Sequence, residues 1–94
     1  MIKVKDILND RSRGISYLKE DIIGRDITFK TDCDLIRSLV NKDDEYIIIQ
    51  GKVMSIDASR VGTPEYMIHI IEKRSNKKML IGTNTSNLQY EKNL

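Results

Sequence analysis

The stretch that decides the fold is EYIIIQGKVMSID, which runs from Glu45 to Asp57. Its β-branched residues fit a pleated, half-buried surface, so the run predicts one long strand. Gly51 stands in the middle, where a glycine usually marks a bulge or a close approach of another backbone. The apolar residues of the run divide between two faces, with Tyr46, Ile48, Met54 and Ile56 opposite Ile47, Ile49 and Val53. One face can cover the core, and the other needs helices or a second subunit.

Two more strands follow this run. Tyr66 to Arg74 and Lys78 to Thr83 are rich in isoleucine and are joined by a short turn at residues 75–77. The polar stretch from Ala58 to Pro64 is the clearest loop of the chain. Three sequential strands with short links predict an antiparallel meander, one face of which can stay in contact with water.

The first half of the chain predicts two short helices and one extra strand. Ile15, Leu18, Ile22 and Ile23 form an apolar stripe at helical spacing, and Gly24 is suited to end that helix. The alternation over Arg25 to Thr31 predicts a half-buried strand. Thr31 and Asp32 can cap a second helix from about Cys33 to Asn41.

The two ends of the chain are less regular in pattern. Met1 to Leu8 suits either a strand or a first helical turn, and the pattern does not separate the two. Asn84 to Leu94 predicts an irregular C-terminal tail, with Leu88 and Tyr90 as anchors. We therefore expect a single α+β domain over residues 1–94, in which two helices and the extra strand cover the three-stranded meander. The long strand also permits a curled, partly closed barrel of the SH3 or OB type.

Composition excludes several classes of protein. The 94 residues are 39% hydrophobic and 32% charged, with a net charge of +2, which suits one small core. No apolar run approaches the ~20 residues that cross a bilayer, and no signal-peptide pattern follows Met1. One cysteine and one histidine make neither an intrachain disulfide nor a structural zinc site. We expect a cytoplasmic protein without cofactor or membrane contact. Abundant Ile, Lys and Asn, against a single alanine, indicate a low-GC bacterial genome or one of its phages or plasmids.

Several strand ends and loops meet at one edge of the predicted meander, because neighbouring strands run in opposite directions. Glycine N–H groups, a guanidinium and side-chain donors are the groups that bind a phosphate or a nucleobase. The candidate ligand-binding residues at this edge are Ser59, Arg60, Gly62, Thr63, Gly82, Thr83, Asn84, Thr85 and Asn87. The first functional hypothesis is a non-enzymatic, phage- or plasmid-encoded protein that sequesters an anionic ligand such as a signalling nucleotide.

Two further hypotheses compete with it. A free sheet edge or an open sheet face can dock a protein, which predicts an inhibitor or adaptor of a host enzyme or defence complex. Lys73, Arg74, Lys77 and Lys78 form a basic cluster that could serve a weakly nucleic-acid-binding barrel, but Asp43, Asp44 and Glu45 are expected beside it and would weaken its field.

No motif predicts catalysis or a metal site. His69 has no neighbour in the sequence that could act as a catalytic partner, so a partly buried strand residue is the better interpretation. Cys33 lies between two aspartates, which disfavour a reactive thiolate. Because so short a chain has little interior to form a pocket, we also expect a homodimer or larger homo-oligomer.

Overall fold

In the computed structural model, which describes residues 1–10, 13–32, 47–58, 66–84 and 87–93, Ile47 to Asp57 of the decisive stretch belong to a central strand of the sheet. In chain order the elements are β1 (Ile2–Lys3), α1 (Val4–Leu8), α2 (Gly14–Ile22), β2 (Asp26–Thr31), β3 (Ile47–Ala58), β4 (Tyr66–Glu72), β5 (Lys78–Gly82) and β6 (Gln89–Lys92). The predicted helix from Cys33 to Asn41 lies outside the described residues.

The described strands form one six-stranded sheet in the order β1-β6-β2-β3-β4-β5, and every pair of neighbouring strands is antiparallel. The strands β3, β4 and β5 are neighbours in chain order, as predicted. The predicted extra strand, β2, does not cover them, because it pairs along the other side of β3 from Asp26 opposite Lys52 to Thr31 opposite Ile47. The two end strands of this order, β1 and β5, are not paired with each other, so the sheet is not closed.

The helix α2 confirms its predicted stripe, with Leu18 and Ile22 fully buried. It ends at Ile22, one residue before the predicted stripe ends, and Ile23 turns into extended backbone. Gly24 follows with a φ of +78°, the left-handed region in which glycine carries no steric penalty. This turn lets the chain pass from the helix into β2.

Both alternatives for the N-terminus occur in succession. Ile2 pairs with Tyr90 as part of β1, and the helix α1 begins at the fully buried Val4. The N–H of Val4 donates a hydrogen bond of 3.1 Å to the carbonyl oxygen of Leu88. The first eight residues are therefore fixed by the C-terminal segment, which local pattern alone does not indicate.

The predicted irregular tail is wrong over residues 89–92, where β6 inserts between β1 and β2. Tyr90 is fully buried, and its ring lies 6.4 Å from that of Phe29, centroid to centroid. Its hydroxyl donates a 2.6 Å hydrogen bond to the carboxylate of Asp21 in α2. Lys92 contacts the same carboxylate at 2.9 Å. Burial of aromatic surface together with these polar contacts makes β6 a structural strand.

One face of the sheet, here called the core face, packs with α1 and α2 around a single apolar core. Its buried residues are Val4, Leu18, Ile22, Ile27, Phe29, Ile47, Ile49, Val53, Ile56, Ile68, Ile70, Ile81, Leu88 and Tyr90. Gly51 lies within this face and marks a close approach rather than a bulge. A Cβ atom built there would lie 2.4 Å from the carbonyl oxygen of Ile71, so a side chain does not fit.

Candidate functional site

The predicted convergence of strand ends is present among the described residues. Ala58 at the end of β3 faces Tyr66 at the start of β4, and Met67 faces Gly82 at the end of β5. Gly82, Thr83, Asn84 and Asn87 of the predicted binding edge can be placed. The remaining candidates, Ser59, Arg60, Gly62, Thr63 and Thr85, lie outside the described residues, as do Asp43, Asp44 and Glu45. Whether this edge binds a ligand therefore stays a prediction.

Thr83 is almost fully buried and bonded to backbone. Its hydroxyl oxygen accepts a 3.1 Å hydrogen bond from the N–H of Tyr66, and its own N–H donates one of 2.9 Å to the carbonyl oxygen of Tyr66. These two bonds extend the β4–β5 ladder by one step. They give Thr83 a structural role at the position where a ligand-binding hydroxyl was expected.

Asn87 adopts a φ of +53° and places its side chain against a carboxylate. Its amide nitrogen donates a 2.8 Å hydrogen bond to Asp32 Oδ2 at the end of β2. The other oxygen of Asp32 is buried without a hydrogen-bond partner in the described part of the chain. A carboxylate beside Asn87 repels an anionic ligand, so this end of the predicted edge is poorly suited to phosphate.

A different surface is apolar. The face of the sheet opposite the core, here called the outer face, carries Met54 on β3, Met67 and Ile71 on β4, and Leu80 on β5, which together are named the outer apolar patch. Met54 is 51% and Leu80 53% exposed, while Met67 and Ile71 are partly exposed. Single exposed apolar side chains are ordinary, but a group of them on three adjacent strands makes this face a candidate interaction surface.

A β-bulge at Met54 decides which apolar residues of β3 belong to this patch. The β3–β4 register shifts between Val53 and Ser55, so one extra residue stands in β3 at Met54. The simple alternation expected from the sequence puts Ile56 on the same face as Met54. That expectation is wrong, because the extra residue reverses the alternation and turns Ile56 into the core, where it is 3% exposed.

The positions of the polar residues in β3 indicate this register shift, although the spacing of the apolar residues does not. Gln50 and Lys52 are exposed at even positions of β3, and Asp57 is exposed at an odd one. Strict alternation cannot place all three on the solvent side, so the phase has to change between Lys52 and Asp57. The phase of the polar residues therefore indicates a bulge, although it does not fix the residue.

A polar cluster lies within the outer apolar patch, because His69 stands between Met67 and Ile71 on β4 and opposite Leu80 on β5. His69 Nε2 is 3.0 Å from Asp57 Oδ2, and the hydroxyl of Ser55 donates a 3.3 Å hydrogen bond to the same oxygen. His69 does have a partner, across the β3–β4 ladder rather than nearby in sequence. Serine and histidine both contact the aspartate here, whereas a catalytic triad needs the histidine between the other two. The cluster thus orients the imidazole without forming an activated nucleophile.

Charged residues flank the patch unequally. Ile71 lies opposite Lys52 on one side and Lys78 on the other, while Met67 lies opposite Asp57. The Ile71 end of the patch is therefore positive, and the Met67 end carries the Asp57–His69 pair. The patch therefore has a positive end, a negative end and an imidazole between its apolar side chains.

The edge of the sheet next to the patch is open. Among the described strands β5 pairs only with β4. The N–H of Glu72 donates to the carbonyl oxygen of Lys77, and that of Thr83 donates to Tyr66, so the odd-numbered residues from 77 to 83 face β4. In an antiparallel ladder the intervening residues, Lys78, Leu80 and Gly82, then direct their backbone N–H and C=O groups away from β4.

The basic hairpin after β4 is mixed in charge. An open cleft of about 540 Å³ beside it is lined by Lys52 and Lys73 together with Asp26 and Glu72. The N–H of Arg74 also donates to the carboxylate of Glu72. Acidic groups within the cleft weaken the positive field that nucleic-acid binding requires.

The titratable cluster of Asp21, Tyr90 and Lys92, between α2 and β6, supports the fold. Burial alone would raise the pKa of Asp21, but hydrogen bonds from Tyr90 and Lys92 outweigh it and lower that pKa below its ordinary value of 3.8. Burial and the bond to Asp21 raise the pKa of Tyr90. Both groups thus keep their ordinary charge states at neutral pH, as structural partners do.

Across residues 1–10, 13–32, 47–58, 66–84 and 87–93, no group of three or more potential metal ligands comes together. Within the same ranges, no helix has the length and apolarity that crossing a membrane requires. Comparison with known protein families, with curated proteins and with solved structures finds no match to this chain.

Proposed function

We propose that this chain is a non-enzymatic protein-binding module whose partner docks on the outer apolar patch. The observation that carries the proposal is the half-exposed pair Met54 and Leu80 on one face, with the partly exposed Met67 and Ile71 beside them. Covering the exposed halves of Met54 and Leu80 is worth about 1 kcal/mol each. The flanking Lys52 and Lys78 add preference for an acidic rim on the partner.

The bulge supports this proposal because it keeps Met54 on the outer face, brings Asp57 to the same face and turns Ile56 into the core. A bulge re-aims side chains and is a specific feature of a strand rather than a defect. An inhibitor or adaptor needs such a surface and no catalytic group. This function fits the outer face better than ligand sequestration fits the described part of the loop edge.

Site-specific photocrosslinking in the producing cells tests the proposal. A photoreactive amino acid replaces Met54, and the same group replaces Tyr17 on α2 as a control with comparable exposure, 54% against 51%. A second control replaces Ile48, which shares the outer face but lies six residues, about 20 Å, along β3. We expect one discrete adduct with another protein from position 54 only. Equal crosslinking at all three positions, or none at position 54, contradicts the proposal.

Anion binding is the competing proposal, and it depends on the loop around Arg60. Isothermal titration with mono-, di- and cyclic nucleotides decides between the two. If the loop edge binds an anion, Arg60→Ala costs about 1.5–3 kcal/mol of binding, the range for hydrogen bonds to charged groups. Lys77→Ala and Lys78→Ala then serve as controls that leave affinity unchanged. A protein-binding module shows no nucleotide affinity in the unsubstituted chain.

A further inference from the structure

Among the described strands β5 pairs only with β4, so its other edge carries backbone groups that a second strand can bind. We infer that β5 pairs antiparallel with β5 of a second copy of this chain, about a two-fold axis at Leu80. The inference rests on the proposed function. The second copy binds at the sheet edge beside the outer apolar patch, and the resulting dimer presents two such patches related by a two-fold axis.

Backbone geometry selects the register of this pairing. Lys78, Leu80 and Gly82 are the β5 residues whose backbone groups face away from β4, given the bonds at Lys77 and Thr83. With Leu80 opposite Leu80 of the second copy, each of these residues faces another residue of the same set, and each facing pair exchanges two hydrogen bonds. A slip by one residue would place free groups opposite residues already bonded to β4, so odd slips form no ladder.

Side-chain chemistry selects the same register among the even slips. Lys78, at one end of β5, then lies opposite Gly82 of the second copy, which has no side chain to obstruct it. The two Lys78 ammonium groups lie about 14 Å apart along the strand direction, beyond the screening length at physiological salt. Leu80, 53% exposed in one copy, packs against its equivalent across the axis. A slip by two residues leaves two facing pairs of outward residues in place of three, and a slip by four places Lys78 opposite Lys78, which brings like charges together.

Self-pairing also satisfies the backbone N–H and C=O groups of β5 that face away from β4. The strand Lys78–Gly82 contains neither proline nor a register shift against β4, two of the devices that prevent edge pairing, and its one charged residue, Lys78, lies opposite Gly82 in this register. Pairing through it continues the sheet across the axis, so the two outer apolar patches become parts of one surface. Met54 lies two strands inside this edge and stays available to a partner.

Disulfide trapping tests the register in a Cys33→Ser background. Leu80→Cys places two thiols across the axis, where hydrogen-bonded antiparallel residues have Cα atoms about 5.5 Å apart, within disulfide range. Lys78→Cys is the matched control, since its two copies are too far apart to join. We expect mild oxidation to convert Leu80→Cys into a covalent dimer and to leave Lys78→Cys monomeric on a denaturing gel.

Sedimentation equilibrium provides an independent measurement without cysteine. Leu80→Lys sets two ammonium groups opposite each other and should weaken self-association by roughly tenfold or more, whereas Lys19→Ala on the exposed side of α2 should leave it unchanged. Circular dichroism confirms that both exposed substitutions keep the fold. A monomeric unsubstituted chain, or a Lys78→Cys disulfide equal in yield to that of Leu80→Cys, overturns the inference. If the chain does not self-associate but still crosslinks a partner at Met54, this inference is wrong and the proposed function stands. If the chain self-associates but crosslinks no partner at Met54, the proposed function is wrong and the β5 pairing stands.

Discussion

The two faces of the sheet carry similar residues and meet different surroundings. On the core face of β3, Ile47, Ile49 and Val53 are almost completely buried. On the outer face of the same strand, Ile48 and Met54 are each about half exposed. Hydrophobicity by itself therefore does not decide which face becomes the core. The polar residues between them, Gln50 and Lys52, identify the face left open to solvent.

The comparison also shows what a small domain does with surplus apolar surface. Apolar groups on the core face contribute to the free energy of folding, while those on the outer face contribute only when something covers them. A substitution on the core face should therefore act on stability. An equivalent substitution on the outer face should act on association.

The largest difference between the faces is expected for a buried charge. Ile49→Asp places a carboxylate without a partner in the core, at a cost of several kcal/mol that is comparable with the whole stability of a small domain. Met54→Asp places the same group in solvent and should fold normally. Far-ultraviolet circular dichroism and chemical unfolding of both variants measure this. A cooperatively folding Ile49→Asp protein would show that β3 is assigned to the wrong face.

Truncation on either side of the bulge sharpens the comparison. Ile56→Ala leaves a cavity in the core and should cost about 2–5 kcal/mol of unfolding free energy. Met54→Ala removes a half-exposed side chain and should change that free energy by no more than about 0.5 kcal/mol. Urea titration gives both values. Equal costs for Ile56 and Met54 would mean that the register shift does not separate the two residues.

The contact between β6 and α2 supports the core face and predicts an acid dependence. Tyr90→Phe removes the 2.6 Å hydrogen bond to Asp21 and should cost about 1.5–3 kcal/mol near neutral pH. Because the folded protein lowers the pKa of Asp21, its contribution is complete above the ordinary pKa of 3.8 and is lost as the pH falls through the folded value. The cost of Tyr90→Phe should therefore shrink as the pH falls below 3.8 and through the folded pKa of Asp21. A cost independent of pH would remove Asp21 from this account.

A smaller effect is expected where the strands approach most closely. Gly51→Ala adds a Cβ atom 2.4 Å from the Ile71 carbonyl oxygen, and backbone has to shift to accommodate it. Overpacking of this kind costs about 1–3 kcal/mol. The matched substitution Gly24→Ala meets no atom within 4 Å, so any cost there comes from its positive φ. Thermal unfolding with each alanine variant, compared at one pH, measures the two costs.

The sequence predicts most of the local elements, because their patterns are local. The stripe of α2, the alternation of β2 and the β-branched runs of β3 and β4 each lie within one continuous segment. The strand β6 escapes prediction, because QYEK carries one buried residue, Tyr90, and its pairing partners are about 60 and 90 residues earlier in the chain. A strand of this kind forms because of its long-range pairing, and the register of β6 against β1 and β2 cannot be read from one sequence.

The candidate surfaces also combine features that the sequence predicts with features that only the structure shows. The meeting of Ala58, Tyr66 and Gly82 follows from antiparallel strand order and is predictable without coordinates. The hydrogen bonds between Thr83 and Tyr66 depend on how far the β4–β5 ladder extends, so they cannot be predicted without coordinates. The contact between His69 and Asp57 depends on the bulge, which shifts the facing residues by one position. An open apolar patch therefore becomes visible only when the phase of β3 is known.

The central claim is that a protein covers the outer apolar patch in the cell, and methionine oxidation tests it most directly. Met54 and Met1 are equally exposed in the isolated chain, at 51% and 49%, so a soluble oxidant should convert both to sulfoxide at similar rates in purified protein. In intact cells the account predicts that Met54 is oxidised several-fold more slowly than Met1, as read by peptide mass spectrometry after brief exposure. Equal rates for Met54 and Met1 in cells, matching those of the purified chain, would contradict the claim.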